Sequence, residues 1–246
     1  MRLSKIALGL GLAAVTAFTA ANAAKITVDY RHELRSEYSE NFDRICFIAA
    51  LDNGVGFYVD SSVKSGADRP GSPEYHDGQW GDFAANAVEM SLWYGYKMGN
   101  FTITPGIITE TAGQTGYKPY IRLQYNTDFG LWFAVRPRYD YWRDDGPKGD
   151  AKNARIDAWI GYTSGNFGIN YNYTHMWALN DVEKDANGND IKRVMWDNKD
   201  YNYEQNIAVN YRMGQWNPYF EIGDMSVSGS DDKRQLRFRA GIQYTF

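Results

Sequence analysis

Arg234-Gln235-Leu236-Arg237-Phe238-Arg239-Ala240-Gly241-Ile242-Gln243-Tyr244-Thr245-Phe246 ends the chain, and apolar and polar residues alternate along it. Leu236, Phe238, Ala240, Ile242, Tyr244 and Phe246 fall on one face; Gln235, Arg237, Arg239, Gly241, Gln243 and Thr245 fall on the other. Successive side chains of an extended strand point to opposite sides, so the stretch reads as a strand with one apolar and one polar surface.

Working back from it, the same period of two recurs. Lys25 to Glu33 sets Ile26, Val28 and Tyr30 against Thr27, Asp29, Arg31 and Glu33. Phe42 to Leu51 carries Ile45, Phe47, Ala49 and Leu51 on its apolar face, and Val55 to Lys64 carries Val55, Phe57, Val59 and Val63. Ala85 to Tyr96 shows Val88, Met90, Leu92, Tyr94 and Tyr96, and Phe101 to Thr109 shows Phe101, Ile103 and Ile107. Tyr117 to Tyr125, Leu131 to Tyr141, Ala154 to Tyr162, Phe167 to His175, Tyr201 to Arg212 and Trp216 to Gly223 continue the pattern. With the last segment this predicts about twelve strands, each with one apolar face.

The connections between them alternate in length. Asp52 to Gly54, Lys97 to Asn100, Asn126 to Gly130, Ser164 to Asn166 and Met213 to Gln215 read as tight hairpin turns. Ser65 to Phe83, Arg143 to Asn153 and Met176 to Asp200 are long and polar. Short turns at one end and long loops at the other describe an antiparallel up-and-down transmembrane β-barrel. A soluble β-sandwich has no reason to segregate its loops or to set tyrosines at so many outward strand ends, where a barrel needs interfacial aromatic girdles.

Composition fits: aromatic residues make up 16% of the chain, tyrosine occurs 19 times, and prolines are few. The mean hydropathy of −0.56 does not argue against a membrane barrel, whose strands show lipid only every second side chain. The terminal Phe246, preceded by alternating apolar positions, is the ending common to proteins folded into the outer membrane of Gram-negative cells.

Residues 1–23 have basic Arg2 and Lys5, an apolar run from Ile6 to Ala21 and the small-residue ending Ala21-Asn22-Ala23. That is the layout of a cleaved secretory signal, leaving a mature barrel from Ala24 to Phe246. The apolar run is shorter than the roughly 20 residues of a spanning helix. Cleavage leaves the chain mildly acidic, with no basic stripe of the kind nucleic-acid binders carry. The lone Cys46 can form no intramolecular disulfide and reads as a small filler.

The polar face gathers its basic residues in two groups. Arg237 and Arg239 on the last strand, Arg31 on the first and Arg44 on the second become neighbours when the barrel closes. Lys118, Arg122, Arg136, Arg138 and Arg155 occupy the sixth to eighth strands. In a closure of about twelve strands these groups stand on opposite walls of the lumen. Facing tracks of guanidinium groups attract anions, and low-dielectric walls focus their field. The same arginines can instead pair with inward Asp29, Glu33, Glu89, Asp140, Asp157 and Glu221 and only stiffen the wall.

No catalytic constellation is assembled. His76 lies in a polar loop, and His32 and His175 lie near strand ends on the outward face. No zinc spacing or glycine-rich phosphate motif occurs, so neither metal nor cofactor is expected. Loop acids such as Asp144-Asp145 and the run Asp181 to Asp185 read as solvated charge, with calcium or lipopolysaccharide-bridging cations as their possible ligands. Three classes stay open on the residues alone: an anion-selective channel, a closed structural or adhesive barrel, and an outer-membrane enzyme. The first needs a net basic constriction, the second a neutralised lumen, the third a reactive side chain.

The chain also resembles the oligogalacturonate-specific porins, a family that includes the N-acetylneuraminate channel. The resemblance rests on Val28-Asp29-Tyr30-Arg31-His32-Glu33, on Lys118-Pro119-Tyr120, on Trp216-Asn217-Pro218-Tyr219-Phe220-Glu221-Ile222-Gly223, and on Arg237 to Phe246. It implies a monomeric twelve-stranded outer-membrane barrel, embedded in lipid and lipopolysaccharide, that passes acidic oligosaccharides by diffusion between basic tracks. Arg31, Arg122, Arg136, Arg138, Arg237 and Arg239 are the pore residues it implies. The departures lie in the long loops and at Cys46, which leaves oligogalacturonate, other uronate oligomers such as alginate fragments, and sialic acid as alternative solutes.

Overall fold

The computed structural model describes residues 24–37, 39–65, 84–143, 149–180, 182–184, 189–227 and 232–246. The expected signal segment, His76 and the acidic pair Asp144-Asp145 lie outside the described residues, as do most of the Ser65 to Phe83 connection and Asp181 and Asp185.

The strands are β1 (Ala24–Arg35), β2 (Glu40–Leu51), β3 (Val55–Ser65), β4 (Ala84–Tyr94), β5 (Tyr96–Met98), β6 (Phe101–Thr111), β7 (Thr115–Asn126) and β8 (Leu131–Arg143). They continue with β9 (Ala151–Ser164), β10 (Phe167–Ala178), β11 (Val182–Lys184), β12 (Asp190–Lys192), β13 (Tyr201–Tyr211), β14 (Trp216–Ser226) and β15 (Arg234–Thr245). All except β11 and β12 form one antiparallel sheet, and pairing of β4 and β5 with β6 closes it on itself. The register of β5 against β6 continues that of β4, so the two are halves of one stave interrupted at Gly95, and the barrel has twelve staves. The first and last strands zip together from Thr27↔Thr245 to Arg35↔Arg237, which makes the clean terminal strand the closing stave.

The molecule is apolar outside and polar inside. Its few buried hydrophobic residues include Cys46 and Ala49, whereas Asp29, Glu33, Lys118, Asp140, Asp157, Asn206 and Arg237 are all buried. Ile45, Met90, Leu92, Ile107, Ile121, Ile160, Ile207 and Ile242 are exposed on the opposite face. Water would penalise such a surface, and hydrocarbon accepts it. A 12-residue strand such as β1 rises about 40 Å at about 3.3 Å per residue, and a tilt near 45° leaves about 28 Å, close to the hydrocarbon thickness.

Exposed aromatic residues gather at the tight-turn end, among them Tyr94, Tyr125, Tyr162, Phe167, Trp216 and Phe246. The turns there are as short as Gly165-Asn166, whose glycine takes a positive φ of 56°. By the rule that periplasmic turns are short and outer loops long, this end faces the periplasm.

The structure differs from the sequence reading mainly at strand ends. β1 runs two residues past Glu33, β6 two past Thr109, and β9 starts three before Ala154. The connection read as Met176 to Asp200 holds the end of β10 and the β11–β12 hairpin. Strands here extend beyond the lipid band, where no apolar face is required and the alternation fades. Loop length is also less regular than expected, since Ser36 to Ser39 and Ala112 to Gln114 are short connections at the long-loop end.

Large inward side chains lie flat along the wall wherever the next strand offers a glycine. The Trp132 indole covers Gly161, its partner across β8 and β9, so closely that a Cβ there would meet ring carbons at 2.3 Å. Gly161→Val forces the indole off the wall and is expected to destabilise the barrel by about 1–3 kcal/mol. The urea midpoint of the vesicle-inserted protein, followed by tryptophan fluorescence, checks this; an unchanged midpoint contradicts the packing described.

Candidate functional site: the charged lumen

All nine basic residues expected in the pore occupy inward positions, and the two groups stand half a circumference apart. β15, β1 and β2 carry the first group; β7, β8 and β9 carry the second, six staves round the closed barrel.

In the first group every guanidinium has a carboxylate. Arg239 reaches Glu33 and Glu221, each at 2.7 Å, and Arg237 reaches Glu204 at 3.2 Å and Glu221 at 3.9 Å. Arg44 spans Asp29 at 2.8 Å and Asp60 at 3.1 Å. Arg31 is the least satisfied, its one carboxylate contact being 3.9 Å to a Glu33 oxygen already held by Arg239; the Nε atoms of Arg31, Arg44 and Arg237 are all without a hydrogen-bond partner among the described residues. The Tyr219 hydroxyl donates to Asp29 at 2.9 Å.

The second group is less balanced. Arg136 and Arg155 share Asp157, at 3.1 and 2.7 Å, and Thr174 donates to the same carboxylate at 2.6 Å. Arg138 is closed against Asp140 by two bonds of 2.5 and 2.7 Å. Lys118 pairs with Glu110 and lies 3.7 Å from Glu89. Arg122 makes no ion pair among the described residues. Its guanidinium lies 5.3 Å from the Trp159 ring, which Arg136 also approaches at 5.4 Å, so one indole stands beside two cations. The negative ring face offsets part of the repulsion between them.

The walls between the groups differ from one another. β3, β4 and β6 present Asp60, Glu89 and Glu110, with the Tyr58 hydroxyl bonded to Glu89. β10, β13 and β14 present mainly amides, and the Glu204 and Glu221 carried there are taken up by Arg237 and Arg239. Open space of about 650 Å³ lies between the first basic group and the acidic wall, lined among others by Arg31, Arg44, Asp60, Glu89, Glu110 and Arg239.

The sequence reading named six inward carboxylates, and all six contact basic residues of these groups. Arg35, which bonds Glu33 at 2.8 Å and stacks over Phe42 at 4.0 Å, lies past the alternating stretch Lys25 to Glu33 and carries no signal in the sequence. Glu40, Asp60, Glu110 and Glu204 also face the basic residues, and Tyr58, Tyr120 and Tyr219 point inward, where tyrosine counts alone suggest girdles. The two described histidines face outward as expected. His32 lies 3.0 Å from Asp43, to which Tyr30 donates at 2.7 Å, and His175 packs against Trp177 and Tyr201. Cys46 is buried on the inner face.

A closed twelve-stave barrel with a lipid-facing exterior and a charged lumen defines a porin of the outer membrane. The model of the oligogalacturonate-specific porin protein (KdgM) family matches residues 18–246. The oligogalacturonate-specific porin KdgM of Dickeya dadantii is 32% identical over 242 residues, covering 95% of this chain and 97% of that one. The uncharacterized protein YiiY of Salmonella typhimurium is 33% identical over 227 residues, 92% of both chains. The NanC porin structure shares the fold, with a TM-score of 0.71 at 19% identity over 89% of this chain and all of that one. The chain belongs to the oligogalacturonate-specific porin family.

The contact pattern separates residues that hold the barrel from residues that set its field. Arg138→Gln leaves a buried Asp140 without its partner and is expected to cost about 3–5 kcal/mol in the urea midpoint. Arg122→Gln strands no carboxylate and is expected to lower the anion-to-cation permeability ratio, read from the reversal potential in a KCl gradient, with little loss of stability. Equal stability losses in the two variants contradict the assignment.

Proposed function

We propose that this porin is a passive, anion-selective channel for acidic oligosaccharides, oligogalacturonate or related uronate oligomers. The observation that carries the reading is the imbalance of the second basic group, in which Arg136 and Arg155 share Asp157 while Arg122 has no carboxylate among the described residues. A solute carboxylate can accept from such guanidinium groups in place of water, because arginine offers planar paired donors and stays charged. The opposing Arg31 supports the reading, being the least satisfied cation of its own wall. Attraction along the lumen is the whole mechanism: the solute gains contacts on entry, loses them on exit, and no covalent step or cofactor is involved.

The name of the D. dadantii relative favours oligogalacturonate. A sialic acid is the second solute to test, since the N-acetylneuraminic acid outer membrane channel NanC of Escherichia coli K12 is 26% identical over 178 residues. The reading includes export on the segment 1–23, cleavage before Ala24, and a monomer surrounded by membrane lipid and lipopolysaccharide.

The test is single-channel current in a planar bilayer with oligogalacturonate added to one side. Transient block whose frequency rises with concentration is expected, with stronger block by the acid than by a neutral oligosaccharide of the same length. No conductance from the inserted barrel, or equal block by acid and neutral sugars, overturns the proposal.

A further inference from the structure

The wall of β10 and β13 is uncharged towards the tight-turn end, where its inward residues are small or amides: Gly168, Asn170, Asn172, Asn206, Ala208 and Asn210; further along, β10 turns in Thr174 and Met176 and β13 turns in Glu204. The amides are interlocked. Asn206 donates to Asn172 at 3.2 Å and accepts from Arg237 at 2.7 Å, while Asn172 donates to the Ala158 carbonyl at 3.1 Å. Asn210 donates to Asn217 at 2.8 Å, which donates to Gln243 at 3.0 Å.

Glycines let these amides lie flat. A Cβ at Gly223 would meet the Asn206 oxygen at 2.1 Å, and one at Gly168 would meet the Asn210 oxygen at 2.3 Å. The result is a smooth strip of oriented amides. Each carries two N–H groups and two carbonyl lone pairs, so the bonds above leave capacity unused. Asn206 is buried and braces the strip, while Asn170, Asn172 and Asn210 are half-buried at the lumen surface.

The strip sits between the two basic groups, with Arg237 and Arg239 on one flank and Trp159, Arg136 and Arg155 on the other. The acidic wall of Asp60, Glu89 and Glu110 stands across the lumen from it, six staves away. An anion is repelled from that wall and drawn towards the flanks of this one. A sugar hydroxyl, which both donates and accepts, finds the matching chemistry in the amides.

Resting on the acidic-oligosaccharide reading above, we infer that the amide strip of β10 and β13 is the surface along which the sugar runs: Asn170, Asn172 and Asn210 bond its hydroxyls while its carboxylates reach the flanking arginines. The strip thereby makes the channel recognise a sugar acid and not merely an anion. Asn170 and Asn172, two residues apart on one strand, lie about 6.6 Å from each other along it, so a moving chain is handed from one amide to the next.

The test compares oligogalacturonate block in the wild type with block in Asn170→Ala, Asn172→Ala and Asn86→Ala, each checked for an intact barrel by its KCl conductance. Asn86 borders the open space beside the acidic wall and donates to Ser62 at 2.9 Å, so it marks the rival route. Block weakened roughly three- to tenfold in each of the two strip variants, the worth of one hydrogen bond, and unchanged in Asn86→Ala, is the expected result. Wild-type block that persists undiminished in both strip variants overturns the inference and leaves the channel's proposed solute standing. A wild type that oligogalacturonate does not block removes that solute and the inference with it.

Discussion

Backbone hydrogen bonding in hydrocarbon is the constraint on which everything else in this molecule depends. A strand edge left open in lipid costs several kcal/mol for each unpaired group, so the sheet must close, and here β15 returns to β1 while β4 and β5 meet β6. Closure divides the side chains into two populations with period two. One set faces acyl chains and must be apolar; the other faces a lumen that only polar groups can line with water. The many buried aspartates, glutamates, arginines and asparagines of this barrel follow from that division.

Within the lumen the charges are arranged by stave, and neighbours largely satisfy one another. Cations and carboxylates almost cancel around Glu33, Asp140 and Glu221, which turns most of the arginines into wall structure. Buried pairs of this kind give little net stability, yet losing one partner is costly. Under the proposed function, what is left for solute is the surplus: Arg122, the pair sharing Asp157, and Arg31, whose carboxylate is already held by Arg239. Low-dielectric walls focus the field of such a local excess.

The strands and their faces were legible because lipid enforces alternation, and the nine basic positions were legible because alternation places them inward. Strand ends were not, since beyond the lipid band Thr111 or Asn153 can occupy a strand with no apolar neighbour to mark it. The β11–β12 hairpin escaped for the same reason: its residues include Glu183, Lys184, Asp190 and Lys192 and show no period. Carboxylate partners were half legible, as Asp29 and Glu33 sit beside the arginines in sequence while Asp60 and Glu204 meet theirs only across the ladder. The amide strip was invisible, because asparagine in a sequence suggests turns, and only the glycines opposite Asn206 and Asn210 reveal that these lie along a wall.

In the proposed mechanism, acid groups on a saccharide speed its passage through this barrel. Proteoliposomes containing the purified porin, swollen in isotonic galacturonate oligomers and in neutral oligosaccharides of equal length, test it most directly. Swelling is expected to be faster in the acidic sugar, with the advantage shrinking as salt screens the lumen. Equal swelling rates in the two sugars at low salt would contradict it.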